Sequence, residues 1–158
     1  MTSPVSPDSM LAARARLLRD WKTKGLLDYV QRMMPIYQAE KHHQAIAGVL
    51  QRVEAHVRGL PHECLGPACA RQMIFAQPQH GKSQLVSKFF PGYILGRDPN
   101  ARIILTSYAQ LLADQASVSV RDQLLDSRYP YGTRPGQGPA AAWPVKGALG
   151  GVKAAGRG

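Results

Sequence analysis

Apolar residues recur at helical spacing in the first part of the chain. They follow a helical period over residues 10–34, and Gly25 interrupts it, so the pattern predicts two helices that end before Pro35. The same period predicts another helix over residues 39–58, since Gly59 follows it.

The pattern therefore predicts a helical N-terminal segment over residues 10–60. Residues 1–9 are rich in proline and serine and are predicted to be disordered. Further along the chain, short apolar runs alternate with amphipathic stretches. The predicted elements there are a strand at 73–75, a helix over 82–95, a strand at 102–106 and a helix over 110–125. A strand–helix–strand–helix order is typical of a parallel sheet with flanking helices, so we predict an α/β domain over residues 71–158.

The pattern of alternating elements is lost after residue 128. Residues 129–158 are rich in glycine, proline and alanine, with Trp143 as the single large apolar anchor. Two strands cannot bury both faces of a parallel sheet. We therefore expect a truncated domain with an open, aggregation-prone sheet edge.

The composition is strongly basic. Twenty Lys and Arg against ten Asp and Glu give a formal net charge of +10, which favours a polyanionic partner such as nucleic acid. Five basic residues lie on the first predicted helix: Arg14, Arg16, Arg19, Lys22 and Lys24. They indicate either a solvated helix face, which is the favoured interpretation, or a surface that contacts DNA.

No apolar run approaches the roughly 20 residues needed to cross a bilayer, and the N-terminus lacks the pattern of a signal peptide. We expect a soluble, cytoplasmic protein. Cys64 and Cys69, with His56 and His62 nearby, could form a metal cluster. The spacing lacks the close cysteine pair of such sites, so two free thiols in a reducing cytosol are the favoured interpretation.

One motif carries recognisable chemistry. Residues 76–83 fit the phosphate-binding pattern G-x-x-x-x-G-K-[ST] at each fixed position except the first, where Ala76 stands for glycine. Gly81 lets the backbone approach phosphates closely, Lys82 is a flexible cation for the β- and γ-phosphates, and the Ser83 hydroxyl can ligate Mg²⁺. A predicted strand precedes the motif and a helix follows it, so we predict a P-loop that binds ATP with Mg²⁺. The alternative is a helix start in which Lys82 and Ser83 have only a capping role.

The order of several short blocks resembles the ATPase domain of phage terminase large subunits, the motors that package viral DNA. The blocks are His80-Gly81-Lys82-Ser83, Phe90-Pro91, Leu95-Gly96-Arg97-Asp98-Pro99, Arg102-Ile103-Ile104, Ser107-Tyr108 and Val120-Arg121-Asp122. Trp143 and Gly150-Gly151 resemble the stretch that precedes the family's Walker B strand. The resemblance implies a partial P-loop NTPase fold behind a helical segment.

The resemblance also assigns the remaining site residues. Tyr37 and His43 lie in a segment similar to the one near the adenine in that family, so the predicted nucleotide-binding residues are Gln79, His80, Gly81, Lys82, Ser83, Tyr37 and His43. The partners that it implies are double-stranded DNA, the terminase small subunit and the portal protein, in the cytoplasm of a host cell.

Two departures limit the expected activity. Gln79 occupies a position where these proteins often carry an arginine that acts on the γ-phosphate, and no apolar run ending in paired acids follows the motif. The family's nuclease domain has no counterpart here either. We therefore expect a nucleotide-binding fragment deficient in hydrolysis, and leave its status as an enzyme open. The alternatives are a basic DNA-binding or assembly module with a vestigial P-loop, and a small P-loop kinase.

Overall fold

A computed structural model describes residues 7–63 and 70–157 of the chain. In those ranges the protein is mixed α/β, with five α-helices, one π-helical segment and a small three-stranded sheet. The predicted α/β class is confirmed at that level. The cysteines Cys64 and Cys69 and the predicted disorder of residues 1–6 lie outside the described residues.

Three helices form the N-terminal part: α1 (Pro7–Thr23), α2 (Leu26–Met33) and α3 (Lys41–Val57). The predicted interruption is confirmed, because the helices separate at Gly25, where the Asp28 carboxylate accepts the glycine N–H at 2.8 Å. The predicted disorder of residues 7–9 is wrong: the helix begins at residue 7, three residues earlier than predicted, since proline is well suited to the first helical position.

The core draws on both halves of the chain. Leu26, Tyr29 and Val30 of α2 are fully buried. They pack in one cluster with apolar residues of the second half, among them Leu85, Leu95, Val120 and Leu124. The predicted helical segment and the predicted α/β domain thus share one hydrophobic core.

The helix after the motif continues over residues 82–97 and changes its winding. It is π-helical at Gln84–Phe89 and becomes α4 at Phe90–Arg97. The helix continues through Pro91, which has no N–H. Its turn before Pro91 is widened, and the Gln123 side-chain amide donates to the Lys88 carbonyl at 2.9 Å.

The sheet consists of β1 (Arg102–Ser107), β2 (Ala142–Pro144) and β3 (Gly151–Gly156), in the order β1-β3-β2. The pair β1–β3 is parallel and the pair β2–β3 is antiparallel. Helix α5 (Gln110–Leu125), which has the predicted bounds, packs on one face. On that face Trp143 is buried and its indole N–H donates to the Ser117 hydroxyl at 2.9 Å.

The strand predicted at 73–75 is wrong. Those residues have no regular secondary structure, and Met73 and Phe75 are 81% and 85% exposed. The partner of β1 is β3, which lies in the stretch where the sequence predicted no strand. Because β3 alternates buried Val152 and Ala154 with glycines and exposed residues, its apolar signal is weak.

Candidate phosphate-binding loop

Residues 76–83, called the candidate loop below, connect an irregular stretch to the helix over residues 82–97. Two of its residues have left-handed backbone conformations: Gln79 with φ 66° and Gly81 with φ 70°. Alternation of left- and right-handed residues turns successive backbone N–H groups toward one side, which is how a backbone forms an anion-binding concavity.

The candidate loop wraps around a hollow of about 440 Å³. The wall of this hollow consists of nine consecutive residues, 76–84, with no contribution from other described elements. The N–H of Leu85 donates to the Gly81 carbonyl at 2.9 Å, so the first helical turn begins at the edge of the hollow. A helix N-terminus carries partial positive charge, which adds to the attraction for an anion.

Lys82 and Ser83 lie in that first turn and both line the hollow. Lys82 is half-buried, and within ranges 7–63 and 70–157 no carboxylate forms an ion pair with it. Its positive charge is therefore not neutralised by any carboxylate of those ranges, and a phosphate in the hollow would meet a cation that they leave unpaired.

Ser83 also lines a second cavity of about 400 Å³. This crevice lies between the helix after the loop, the carboxyl end of β1 and α5, and it includes Ser87, Lys88 and Ser107. The carboxyl end of a parallel strand is where open α/β sheets bind ligands. Ser83 thus stands between the hollow and such a crevice.

His43 of α3 contacts the candidate loop directly. Its Nε2 lies 3.1 Å from the His80 carbonyl oxygen, and its Nδ1 lies 3.1 Å from the backbone nitrogen of Glu40. A side chain at position 81 would begin 2.7 Å from the same Nε2, so the imidazole occupies the space that a Cβ would need. Burial lowers the pKa of His43, and the neighbouring His42 acts in the same direction.

Tyr37 packs beside His43, with ring centroids 5.2 Å apart. Its hydroxyl is buried and has no hydrogen-bond partner in the described part of the chain, and burial raises its pKa. The structure therefore brings all seven sequence-predicted site residues into one neighbourhood: the five of the loop, His43 against it, and Tyr37 behind His43.

Three neighbours of the site did not appear among the predicted residues. His42 lies with its ring centroid 5.6 Å from that of His80, and Ser87 and Lys88 line the crevice beside Ser83. Helical spacing could have found Ser87, because it follows Ser83 by four residues and so shares its face of the helix. The position of His42 depends on how α3 meets the loop, which no local pattern reveals.

A larger cavity of about 810 Å³ lies elsewhere. It is bordered by the end of α2, the π-helical segment and α5, and its lining includes Asp114, Asp122 and Asp126. Within the described residues, neither the hollow nor the crevice is lined by an acidic side chain. These three aspartates thus line a different cavity from the two that Ser83 lines.

Of the four residues suggested for a metal cluster, the structure describes only the two histidines. His56 Nδ1 and His62 Nε2 lie 3.1 Å apart, but the described residues contain no group of three or more His, Cys, Asp or Glu that could hold a metal ion. None of the described helices is both long and apolar enough to cross a membrane.

Comparisons with models of protein families, with curated proteins and with solved structures found no significant match.

Proposed function

We propose that this chain binds a nucleoside triphosphate through the candidate loop, as the nucleotide-binding part of a viral DNA-packaging ATPase of the terminase type. The observation that supports binding most directly is the hollow of about 440 Å³ formed by the loop's own consecutive residues. The assignment to terminases rests on the ordered blocks of sequence resemblance.

The residues present fit a polyphosphate. The loop offers backbone N–H groups and a helix N-terminus, and Lys82 offers a cation without a partner within the described ranges. For Mg²⁺ the same neighbourhood offers the Ser83 hydroxyl, so the ion would be held by that hydroxyl together with phosphate oxygens. ATP with Mg²⁺ is therefore the proposed ligand, and Tyr37 and His43 remain the proposed residues near its base.

We propose binding without efficient hydrolysis. Cleavage of the γ-phosphate requires a positioned water and stabilisation of charge by a held metal ion and cationic groups. Gln79 cannot supply positive charge, and the hollow and crevice lack carboxylates among the described residues. The loop can hold a nucleotide by the interactions above even where these catalytic groups are missing.

Replacing Lys82 by alanine tests the proposed binding. The variant loses a charge-assisted phosphate contact worth about 1.5–3 kcal/mol, so affinity for a fluorescent ATP analogue should fall roughly tenfold to a hundredfold. Lys153→Ala is the matched control, because this exposed lysine lies on β3. Equal affinities for the wild type and Lys82→Ala would contradict the proposal.

We propose double-stranded DNA as a partner. The terminase small subunit and the portal protein are proposed partners on the basis of the resemblance alone. The observation that favours DNA is a basic surface on α1 and just beyond its end, where Arg16, Arg19 and Lys22 of α1 and the following Lys24 are all exposed. Among the described residues the ion pairs involve Arg58, Arg97 and Arg128, so none of these four side chains is paired with a described carboxylate. Such a surface attracts phosphate backbones regardless of sequence.

Duplex binding should fall steeply with salt, with a slope of about −0.9 per phosphate neutralised. The double variant Arg16→Ala/Arg19→Ala should reduce the magnitude of that slope by roughly 2, as measured by fluorescence anisotropy between low and moderate salt. An unchanged slope would show that this face of α1 does not contact the DNA. Nucleotide binding by the wild type serves as the discriminator: a wild-type chain that binds DNA but no nucleotide would favour a DNA-binding module with a vestigial loop.

A further inference from the structure

His43 has a single tautomer that satisfies its surroundings. The Glu40 backbone nitrogen carries a hydrogen and can only donate, so Nδ1 of His43 must accept. The hydrogen of the neutral ring then lies on Nε2, which is 3.1 Å from the His80 carbonyl oxygen and 3.1 Å from Nε2 of His42, so the carbonyl accepts it alone or shares it with His42. The imidazole thus bridges the start of α3 and the backbone of the candidate loop.

The bridge lies at the position where the loop is most constrained. Gly81 has φ 70°, a conformation that favours glycine, and the His43 ring fills the space beside its Cα. His43 itself is 8% exposed and packs against the Tyr37 ring, so it has little freedom to move away. The ring therefore restricts the backbone at residues 80 and 81.

We propose that His43 is a positioning residue for the candidate loop: its neutral ring ties the His80 carbonyl to α3 and preorganises the hollow for phosphate, and its protonation, which sets a second donor against the Glu40 N–H, displaces the ring and loosens the loop. This inference rests on the proposed function, because the benefit of a preorganised hollow is a tighter complex with nucleotide. The role differs from contact with the ligand, since the His43 hydrogen bonds described above are made to the loop and to the helix start.

Protonation opposes the bridge for a geometric reason. A second ring hydrogen would lie on Nδ1 and face the Glu40 N–H, which is also a donor. The other groups that face the ring are His42, whose Nε2 lies 3.1 Å from Nε2 of His43, the His80 ring and carbonyl, the Glu40 carboxylate and the Tyr37 phenol. Burial and His42 lower the pKa of His43 from its ordinary value of 6.5, while the His80 carbonyl and Glu40 oppose that change.

The sign of the pH effect follows. A histidine whose pKa is lower in the folded protein binds its proton more readily in the released or unfolded state. The bridge is therefore fully present above the ordinary pKa of 6.5 and is lost as the pH falls from that value through the lowered pKa. Nucleotide affinity should decrease over the same interval.

Amide hydrogen exchange of the full chain without nucleotide tests the bridge itself. His43→Ala should accelerate exchange of the backbone amides at residues 79–83 roughly fivefold to tenfold, as expected for one lost hydrogen bond. His43→Gln places an amide donor that does not titrate near the His80 carbonyl and should restore much of the protection. His56→Ala is the matched control, because His56 lies on the same helix and contacts His62 instead of the loop. Equal loop exchange in His43→Ala and the wild type would overturn the inference.

Titration with a fluorescent ATP analogue at about pH 8 and pH 5.5 gives the second readout, across the titration range of histidine. The wild type should lose roughly fivefold more affinity on acidification than His43→Gln, since only the wild type can lose the bridge by protonation. Identical pH dependence in the two proteins would overturn the inference even if His43→Ala failed to fold. If the wild type binds no nucleotide at either pH, the proposed function fails, and the exchange of His43→Gln and the wild type at the two pH values still decides the role of His43.

Discussion

Replacing Gly96 by alanine is expected to destabilise the protein by about 3 kcal/mol, near the upper end of the usual range for overpacking. A Cβ at this position would overlap Cγ and Cδ2 of Tyr131 and lie 2.8 Å from its Cβ. These atoms are close to the Tyr131 backbone, so a simple rotation of the ring cannot remove the overlap. Tyr131 is 7% exposed and packs against Tyr29, Tyr93 and Tyr129, which leaves it no free space.

Gly48 offers a control of opposite sign. It lies inside α3, and the nearest atom to its ideal Cβ is Nη1 of Arg52 at 3.9 Å, so an alanine fits there. Gly48→Ala should stabilise the protein by about 0.5–1 kcal/mol through helix propensity. Both variants can be measured by urea denaturation. A stabilising Gly96→Ala would show that α4 and Tyr131 are not packed as described.

Glu54→Ala is expected to cost about 3–5 kcal/mol, because it removes the only carboxylate of a buried ion pair. The Glu54 side chain is 4% exposed and accepts hydrogen bonds from Arg58 at 2.5 Å and from Arg97 at 3.0 Å. Arg97 also donates to the backbone carbonyls of Lys22 and Lys24 and lies over the Tyr93 ring. Without Glu54, the Arg97 guanidinium would remain largely buried and would lose its carboxylate partner. This guanidinium joins α3, α4 and the connection between α1 and α2.

The pair of Asp126 and Arg128 is the matched control, since it has similar hydrogen-bond geometry but lies at the surface. Asp126→Ala should cause a much smaller loss of stability, because exposed ion pairs are weak. Thermal unfolding of Glu54→Ala, Asp126→Ala and the wild type compares the two sites. Similar midpoints for Glu54→Ala and the wild type would mean that the buried pair does not hold α3 to α4.

The sequence predicted the helices well because their signals are local. Gly25 marks the separation of α1 from α2, and the apolar stripe of α5 gives its bounds as Gln110–Leu125. The strand at 102–106 was also recognised, as β1, because Ile103, Ile104 and Leu105 form an apolar run. For these elements the local signal was sufficient, and the predictions were confirmed.

The rest of the sheet depends on tertiary contacts that no single segment encodes. The run at 73–75 is too short to distinguish a strand from an irregular stretch, and in the structure only Ile74 is half-buried. Conversely, β2 and β3 contain proline, alanine and glycine, which have low strand propensity. They pair because Trp143 and Val152 are buried together on the α5 side of the sheet.

The candidate loop was predictable for a different reason. Its motif specifies backbone chemistry, so Gly81, Lys82 and Ser83 could be assigned from their order alone. His43 entered only through the family resemblance, which placed it near the base. Its hydrogen bond to the His80 carbonyl joins residues 37 positions apart and could not be derived from spacing.

The long sequence separation of the core contacts has a kinetic consequence. The buried hydrogen bond from the Tyr29 hydroxyl to Gln123 joins residues 94 positions apart, and the buried bond from the Thr133 hydroxyl to the Leu95 carbonyl joins residues 38 positions apart. The entropic penalty of loop closure grows only with the logarithm of loop length, so these distant contacts reduce the stability of the folded protein little. A high contact order nevertheless slows folding. The helices can form from local contacts in the early stages of folding, whereas the packing that surrounds the candidate loop must wait until distant parts of the chain have met.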